Sequence, residues 1–355
     1  MELIGTGQGL AAYLNGRAKG VTPKVVRALE RALPQAQIFV SSDFDQARRH
    51  VQVIAEERPY ALLVGGGDGT CARLLNELRR SWEGALPPLG LLKLGTGNGW
   101  ANAAGSVPFQ KHVALLPKLP RELPTTRFNL LEVEGTLCQF AGVGWDAQIL
   151  NDYLRNLDKR SSQLFMSRFS TWLHMGLAGY FYSLLRITVP EEVLLLLRKG
   201  PARVTLENLG EDAFALDATG QPVPWAGLQG KDPRILYEGP ISVGGAATTE
   251  EWGFGLRSYP FARGKPGYLN VRVYDRPVLE ALPNIPHLYA GRFPQPGMHD
   301  FFTTHARMTF SRRMPFQIAG DGEGMRQSVE YRLAEQTAGI VDWSAAQAMV
   351  GLRPS

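Results

Sequence analysis

Cysteine is nearly absent from this sequence. Cys71 and Cys138 are the only two in 355 residues, too few for a disulfide framework and without metal-ligand spacing, a usage that fits a reducing cytosol. Long apolar runs are missing as well. No stretch reaches the roughly 18 uninterrupted apolar residues of a membrane span, and the first residues, MELIGTGQGLAAYLNG, carry neither a basic leader nor an apolar core, so no secretory signal is expected. There is no internal repeat and no low-complexity segment. The glycine runs are not followed by Gly-Lys-Ser/Thr, which excludes a Walker loop, and their spacing fails the dinucleotide fingerprint. Charge of one sign is also modest: the net +5 would favour an anionic surface, but no nucleic-acid module accompanies it.

What is present is a pair of glycine-rich turns. Leu62, Leu63 and Val64 read as the end of a buried strand, Gly65 to Gly69 as a turn, and CARLLNELRR as a helix with Leu74, Leu75 and Leu78 on one side. A strand-turn-helix of this kind aims backbone N–H groups and the positive end of a helix dipole at one spot, which suits phosphate. Glycine removes the Cβ that would keep an anion away. Asp68 is the only charge in the turn, and beside phosphates it implies Mg2+; the alternative is an aspartate that caps the helix. Residues 89–105, LGLLKLGTGNGWANAAG, repeat the arrangement. Two such turns after consecutive parallel strands fall at the carboxyl edge of one sheet, where open α/β sheets bind ligands.

At 355 residues, with 44% apolar and 20% charged side chains, two globular domains are expected. The first opens with a strand over 10–15 and a turn over 16–20 carrying Arg17 and Lys19. A helix follows from Thr22-Pro23 to about Leu33, then a strand over 37–40 and a helix from Asp43 to Glu57. A proline-rich stretch over 108–124 marks the boundary. Beyond it alternation replaces helical spacing, beginning with a hairpin that turns at Glu134-Gly135. Residues 163–186 have aromatic and leucine side chains at three- and four-residue steps, read either as a helix packed on the second sheet or as a lipid-gripping surface helix. From Ala202 onward short alternating runs predict antiparallel strands, and Asp321-Gly322-Glu323 is expected in a tight turn after the strand FQIA. The C-terminal DWSAAQAMVGLRPS reads as a short helix and tail of open role.

The ordered set GGGDGT at 65–70, GTGNGWA at 95–101, GVGWDAQI at 142–149, GFGLRSYPFA at 253–262 and GDGEG at 320–324 resembles the diacylglycerol kinase catalytic domain superfamily, which includes bacterial lipid kinases, sphingosine kinases and ceramide kinases. The resemblance runs from about residue 10 to about residue 325. It implies a nucleotide-binding α/β domain over 1–124 with a parallel Rossmann-like sheet, a β-rich antiparallel sandwich over 125–330, a terminal segment over 331–355, and a nucleotide site in the interdomain cleft.

The implied reaction is transfer of the γ-phosphoryl group of ATP to a lipid hydroxyl, with Mg2+. By resemblance, Asn15, Gly16, Arg17, Ala18, Lys19 and Ser41 touch the nucleotide together with Gly66, Gly67, Asp68, Gly69, Thr70, Thr96 and Asn98. Glu323 is the implied general base, with Asp68 its rival. Asp68 organises Mg2+ through water, Asp321 is a further metal candidate, and Asp146 is a candidate for the lipid head group. Two positions depart from the family: Gly99 stands where an acidic residue is usual, and Pro266 replaces the aspartate of an additional magnesium site. The alternatives are a catalytically weakened lipid-binding relative and an NAD-kinase-like enzyme. The expected setting is the cytoplasm with transient association at the inner face of the membrane. The expected partner is a lipid at that surface, with no nucleic acid and no transmembrane span, and the sequence leaves room for a homodimer.

Overall fold

The computed structural model describes residues 9–149, 186, 188–252, 255–291 and 296–351. The aromatic stretch expected as a helix over 163–186 falls, apart from Arg186, outside them. Within the described residues the chain forms two units. One takes the chain up to Leu130, Gly255 and the segment from Glu335 onward; the other takes Leu131 to Trp252 and Leu256 to Ala334.

The first unit is an α/β layer. Strands β1 (Leu10–Asn15), β2 (Gln37–Ser41), β3 (Ala61–Gly66) and β4 (Leu89–Lys93) are parallel, in the order β2-β1-β3-β4. β3 is buried along its whole length, as its run of apolar residues and glycines requires of a strand covered on both faces. Helices α1 (Pro23–Ala32), α2 (Phe44–Glu57) and α3 (Asp68–Ser81) connect the strands. Thr22 and Asp43 cap the first two, their side-chain oxygens accepting from Val25 N at 3.3 Å and Gln46 N at 2.7 Å. A shorter helix, α4 (Gly99–Ala103), follows β4, and α5 (Phe109–Leu115) follows it.

The C-terminal segment completes this unit. The end of the last strand, which runs over Asp321–Val341, lies parallel to β4 with Ile340 opposite Leu89. The helix Trp343–Met349 then inserts a fully buried Trp343 into the core formed by Leu14, Leu63 and Leu92. Trp343 Nε1 donates to the Leu91 carbonyl at 3.0 Å, and Ser106 Oγ donates to the same oxygen at 2.7 Å. With its proton committed to Leu91, the Ser106 hydroxyl accepts from His112 Nε2 at 2.9 Å. His112 stands edge-on to Trp343 with ring centres 4.2 Å apart, and burial pushes its pKa down to about 3.

The second unit is an antiparallel β-rich body. Its first hairpin joins β5 (Thr125–Val133) to β6 (Thr136–Cys138) through Glu134 and Gly135, both at positive φ (50° and 75°), the two-residue turn that matches strand twist. Strands β7 (Phe140–Gly144), β8 (Ala202–Asn208), β9 (Ala213–Leu216), β10 (Pro222–Pro224), β11 (Ile235–Ile241), β12 (Val243–Ala247), β13 (Leu269–Tyr274), β14 (Met298–Thr303), β15 (His305–Ile318) and β16 (Asp321–Val341) follow in chain order. They are arranged β10-β9-β14-β13-β12-β7-β15-β16, with β8 and β11 joined beside the first part of β15. One cross-strand row runs Gly322, Gln317, Gly142, Gly245, Arg272, Asp300. At its far end the Arg272 guanidinium grips the Asp300 carboxylate through two 2.8 Å bonds, both side chains buried, with Asn270 Nδ2 adding a third at 3.0 Å. Gly142 and Gly245 keep the row's middle free of side chains, which lets Trp252 and Tyr259 lie against the backbone there.

Candidate functional site

The chain passes from β1 outward to β2 and returns to β3 on the other side of β1, so the sheet's switch point lies between β1 and β3. Asn15, the last residue of β1, donates through Nδ2 to Thr70 Oγ1 in the first turn of α3 at 2.9 Å, bridging that point. Its Oδ1 and carbonyl accept from Arg17 N at 3.0 Å and Ala18 N at 2.9 Å, which curls residues 15–19 over the edge and leaves Arg17 and Lys19 exposed. Gly16 N donates to the Ser41 carbonyl at 2.8 Å. The Ser41 hydroxyl itself is buried, 2.9 Å from His50 Nδ1 and bonded to Tyr13, so it faces into the unit. Thr96 is exposed.

The two glycine turns lie against each other. A Cβ on Gly95 would stand 2.1 Å from Gly67 Cα, one on Gly67 would stand 2.8 Å from the Gly97 carbonyl, and one on Gly66 would strike Thr70 at 2.6 Å. The sequence suggests these glycines clear the way for an anion; at these three positions the structure shows protein in the space instead. Asp68 N donates to the Gly97 carbonyl at 3.2 Å. Asn98 closes its own turn, accepting from Gly95 N at 3.1 Å and donating to the Gly95 carbonyl at 2.9 Å.

Asp68 locks this pair. It is 5% exposed, and its two carboxylate oxygens accept from Gly99 N at 2.9 Å and Trp100 N at 3.0 Å, the opening amides of α4. Asp68 therefore begins one helix and caps the next. Gly69 and Thr70 follow it in the first turn of α3, where backbone N–H groups have no intrahelical partner and the positive end of a 14-residue helix is presented. Gly99 contributes through its amide.

In the second unit the Asp-Gly-Glu segment differs from the expected tight turn. The turn is made by Ala319 (φ 49°) and Gly320 (φ 87°), with Ile318 paired to Asp321, so Asp321 opens β16. Gly322 pairs with Gln317 and Met325 with Pro315, leaving Glu323 and Gly324 together opposite Phe316. This is a β-bulge, with Gly324 at φ 80°, and it turns an exposed Glu323 out of the regular alternation. Arg326 anchors the bulge. Its guanidinium grips Glu134 through bonds of 2.6 and 2.8 Å and donates to the Glu323 carbonyl at 2.7 Å.

Asp146 lies in a helical stretch over 145–149, is 3% exposed, and receives Gln317 Nε2 on Oδ2 at 3.4 Å. Its Oδ1 has no hydrogen-bond partner among the described residues. Burial raises its pKa to about 7, against the lowering effect of its hydrogen bonds to the Ala147 amide and Gln317. Gln317 and Arg326 were not singled out from the sequence. Long polar side chains on a strand look like surface, and only the register puts them at the bulge.

The diacylglycerol kinase catalytic domain family matches residues 14–121, which hold every element of the first unit's glycine edge. Proteins named probable lipid kinase YegS, from Salmonella arizonae and Salmonella heidelberg, are 32% identical over 94 residues, 26% of this chain and 31% of theirs. The match thus spans about a third of the length of those relatives. The crystal structure of a diacylglycerol kinase from Bacillus anthracis superposes with a TM-score of 0.56 at 15% identity, covering 95% of this chain and 97% of that one. A second structure from the same organism gives 0.59 at the same identity and coverage. At that identity the likeness establishes the fold: an α/β portion with parallel strands followed by an antiparallel β-rich portion. Residues 14–121 are thus similar to the diacylglycerol kinase catalytic domain, within a chain whose fold is that of the two solved structures.

Proposed function

We propose that this protein is an ATP-dependent lipid kinase that transfers a γ-phosphoryl group to a hydroxyl of a membrane lipid of the diacylglycerol, ceramide or sphingoid type. The observation that carries the reading is the interlocked pair of glycine turns at the sheet's carboxyl edge, beside the exposed Arg17 and Lys19. Phosphoryl transfer asks a protein for positioning and charge neutralisation rather than covalent help. An edge built from first-turn amides, a helix dipole and two cations offers both.

Among the described residues no group of three or more His, Cys, Asp or Glu side chains forms a ready-made metal cage. That fits Mg2+, which usually takes one or two protein carboxylates and completes its shell with phosphates and water. By resemblance, Asp68 would hold the ion through water, and Asp321 is a further candidate ligand. Bound Mg2+ and ATP supply the phosphoryl group and neutralise its charge. The chain's part is to hold and orient: Asn15 to Lys19, Gly66 to Thr70, Thr96 and Asn98 bind the nucleotide, and Ser41 steadies the 15–19 turn through its carbonyl. Glu323 accepts the hydroxyl proton, with Asp68 the rival for that role, and Asp146 meets the lipid head group. No described helix is long and apolar enough to cross a membrane. We place the reaction at the cytoplasmic face, where the lipid is met in the bilayer surface.

The test is transfer of label from ATP, with Mg2+, to vesicles containing diacylglycerol, ceramide or a sphingoid base. Labelled lipid is expected, and Glu323→Gln should reduce turnover about 100- to 10,000-fold, the usual cost of a lost general base. Wild-type turnover in that variant would remove Glu323 from the reaction. Label appearing in NAD instead of lipid would favour a small-molecule kinase, and ATP binding without transfer would favour a lipid-binding relative that has lost catalysis.

A further inference from the structure

We propose that Gln317 is a positioning residue that fixes the Glu323 bulge by tying its hairpin to buried Asp146. The catalytic consequence rests on the lipid-kinase reading above; the mechanical one does not. Gln317 is 1% exposed and occupies β15 two residues before the turn. Its two ends face different elements. Oε1 accepts from Gly320 N, in the turn itself, at 2.8 Å, and Nε2 donates to Asp146 Oδ2 at 3.4 Å. Its backbone is paired with Gly322, the residue immediately before the bulge. One residue thus links the turn and the start of the helical stretch at 145 through its side chain and the strand entering the bulge through its backbone.

The need for such a tie follows from the local backbone. Ala319 and Gly320 both adopt positive φ, and an alanine in that region is an unfavourable choice. Gly322 and Gly324 flank Glu323 and restrict it little. Left to its own preferences, DGEG would sample many orientations of the glutamate. Arg326 holds the far side of the bulge through the Glu323 carbonyl, and Gln317 holds the near side through Gly320 N. A general base must lie within hydrogen-bond reach of the proton it takes, and a displacement of about 1 Å can cost 100-fold in rate. The glutamine suits the task because a buried amide can accept at one end and donate at the other, whereas an apolar residue of the same length would leave Gly320 N and Asp146 without that partner.

The experiment compares Gln317→Met, which keeps the length and loses both bonds, with Gln317→Glu, which keeps an acceptor for Gly320 N. Hydrogen exchange of the peptide over 318–326, read by mass spectrometry, should speed at least about tenfold in Gln317→Met and by less in Gln317→Glu, which keeps the bond to Gly320 N but loses the donor to Asp146 and sets a second carboxyl beside it, since one lost hydrogen bond is worth about a factor of ten. With saturating ATP and lipid, Gln317→Met should lower kcat about 10- to 100-fold and leave the KM for ATP unchanged. Placed on a Glu323→Ala background, it should cost nothing further, because the two substitutions then act through one group. Unchanged exchange in Gln317→Met overturns the tie to the hairpin. Faster exchange with full kcat, or a rate loss that persists without Glu323, overturns the positioning role. If the wild-type protein phosphorylates none of the three lipids, the kinase reading fails and the catalytic consequence with it, while the exchange result still decides whether Gln317 holds the hairpin.

Discussion

Replacing Asp68 tests how the pair of glycine turns is built. Its carboxylate is buried and accepts two main-chain hydrogen bonds, from Gly99 N at 2.9 Å and Trp100 N at 3.0 Å. Hydrogen bonds to a charged group contribute about 1.5–3 kcal/mol each, and a buried donor left without a partner costs about 1–3 kcal/mol. Asp68→Asn keeps the shape but presents an NH2 to one of the two amides, so about 2–3 kcal/mol should be lost. Asp68→Ala removes both acceptors and should cost about 3–5 kcal/mol. Against a typical domain stability of about 5–15 kcal/mol, the alanine variant sits near the limit of folding. Loss of activity in it would therefore mix chemistry with structure. Urea unfolding followed by tryptophan fluorescence gives the order wild type, Asn, Ala, and hydrogen exchange should localise the loosening to Gly99–Ala103. If both variants lie within about 0.5 kcal/mol of wild type, the level expected of a surface change, Asp68 does not brace the turns.

Asp146 has its folded pKa raised from 3.8 to about 7 by burial. A raised carboxyl makes the folded state the better proton binder, so its favourable contribution is complete below about pH 4 and is lost as pH rises through 7. Asp146→Asn should therefore match wild type near pH 4 and exceed it by up to about 4 kcal/mol near pH 8, measured as the difference in urea midpoints; a gain independent of pH would refute the burial argument. Trp343→Ala removes a fully buried ring and its bond to the Leu91 carbonyl. It should cost about 3–5 kcal/mol, and thermal or urea unfolding that matches wild type would mean the C-terminal helix is dispensable to the first unit.

The local features of the first unit were legible because each is carried by chemistry close in sequence. Thr22-Pro23 and Asp43 open helices as cap residues do, and the alternation of apolar strand and helical spacing announces parallel βαβ units. Glu134-Gly135 forms the expected hairpin turn, the glycine taking positive φ freely and Glu134 taking it at a cost the strand pairing offsets. The turn opens two residues before the Asp-Gly-Glu segment. Its composition reads as a turn, yet Ala319-Gly320 takes the turn because register with β15 sets Ile318 opposite Asp321, a constraint that acts across strands.

Sequence alone determined that two glycine turns follow two parallel strands and that an acidic pair ends a late apolar strand, because strand, turn and helix preferences act over a few neighbouring residues. Tertiary structure decided what those residues do. It turned Gly67 and Gly95 into a contact between two backbones, made Asp68 the brace of a second helix 31 residues on, brought Trp343 back 252 positions to the Leu91 carbonyl, and set Gln317 between Asp146 and the turn before Glu323. These links join atoms far apart along the chain, and no local preference encodes such a distance; only the closing of the sheets brings the partners within hydrogen-bond reach.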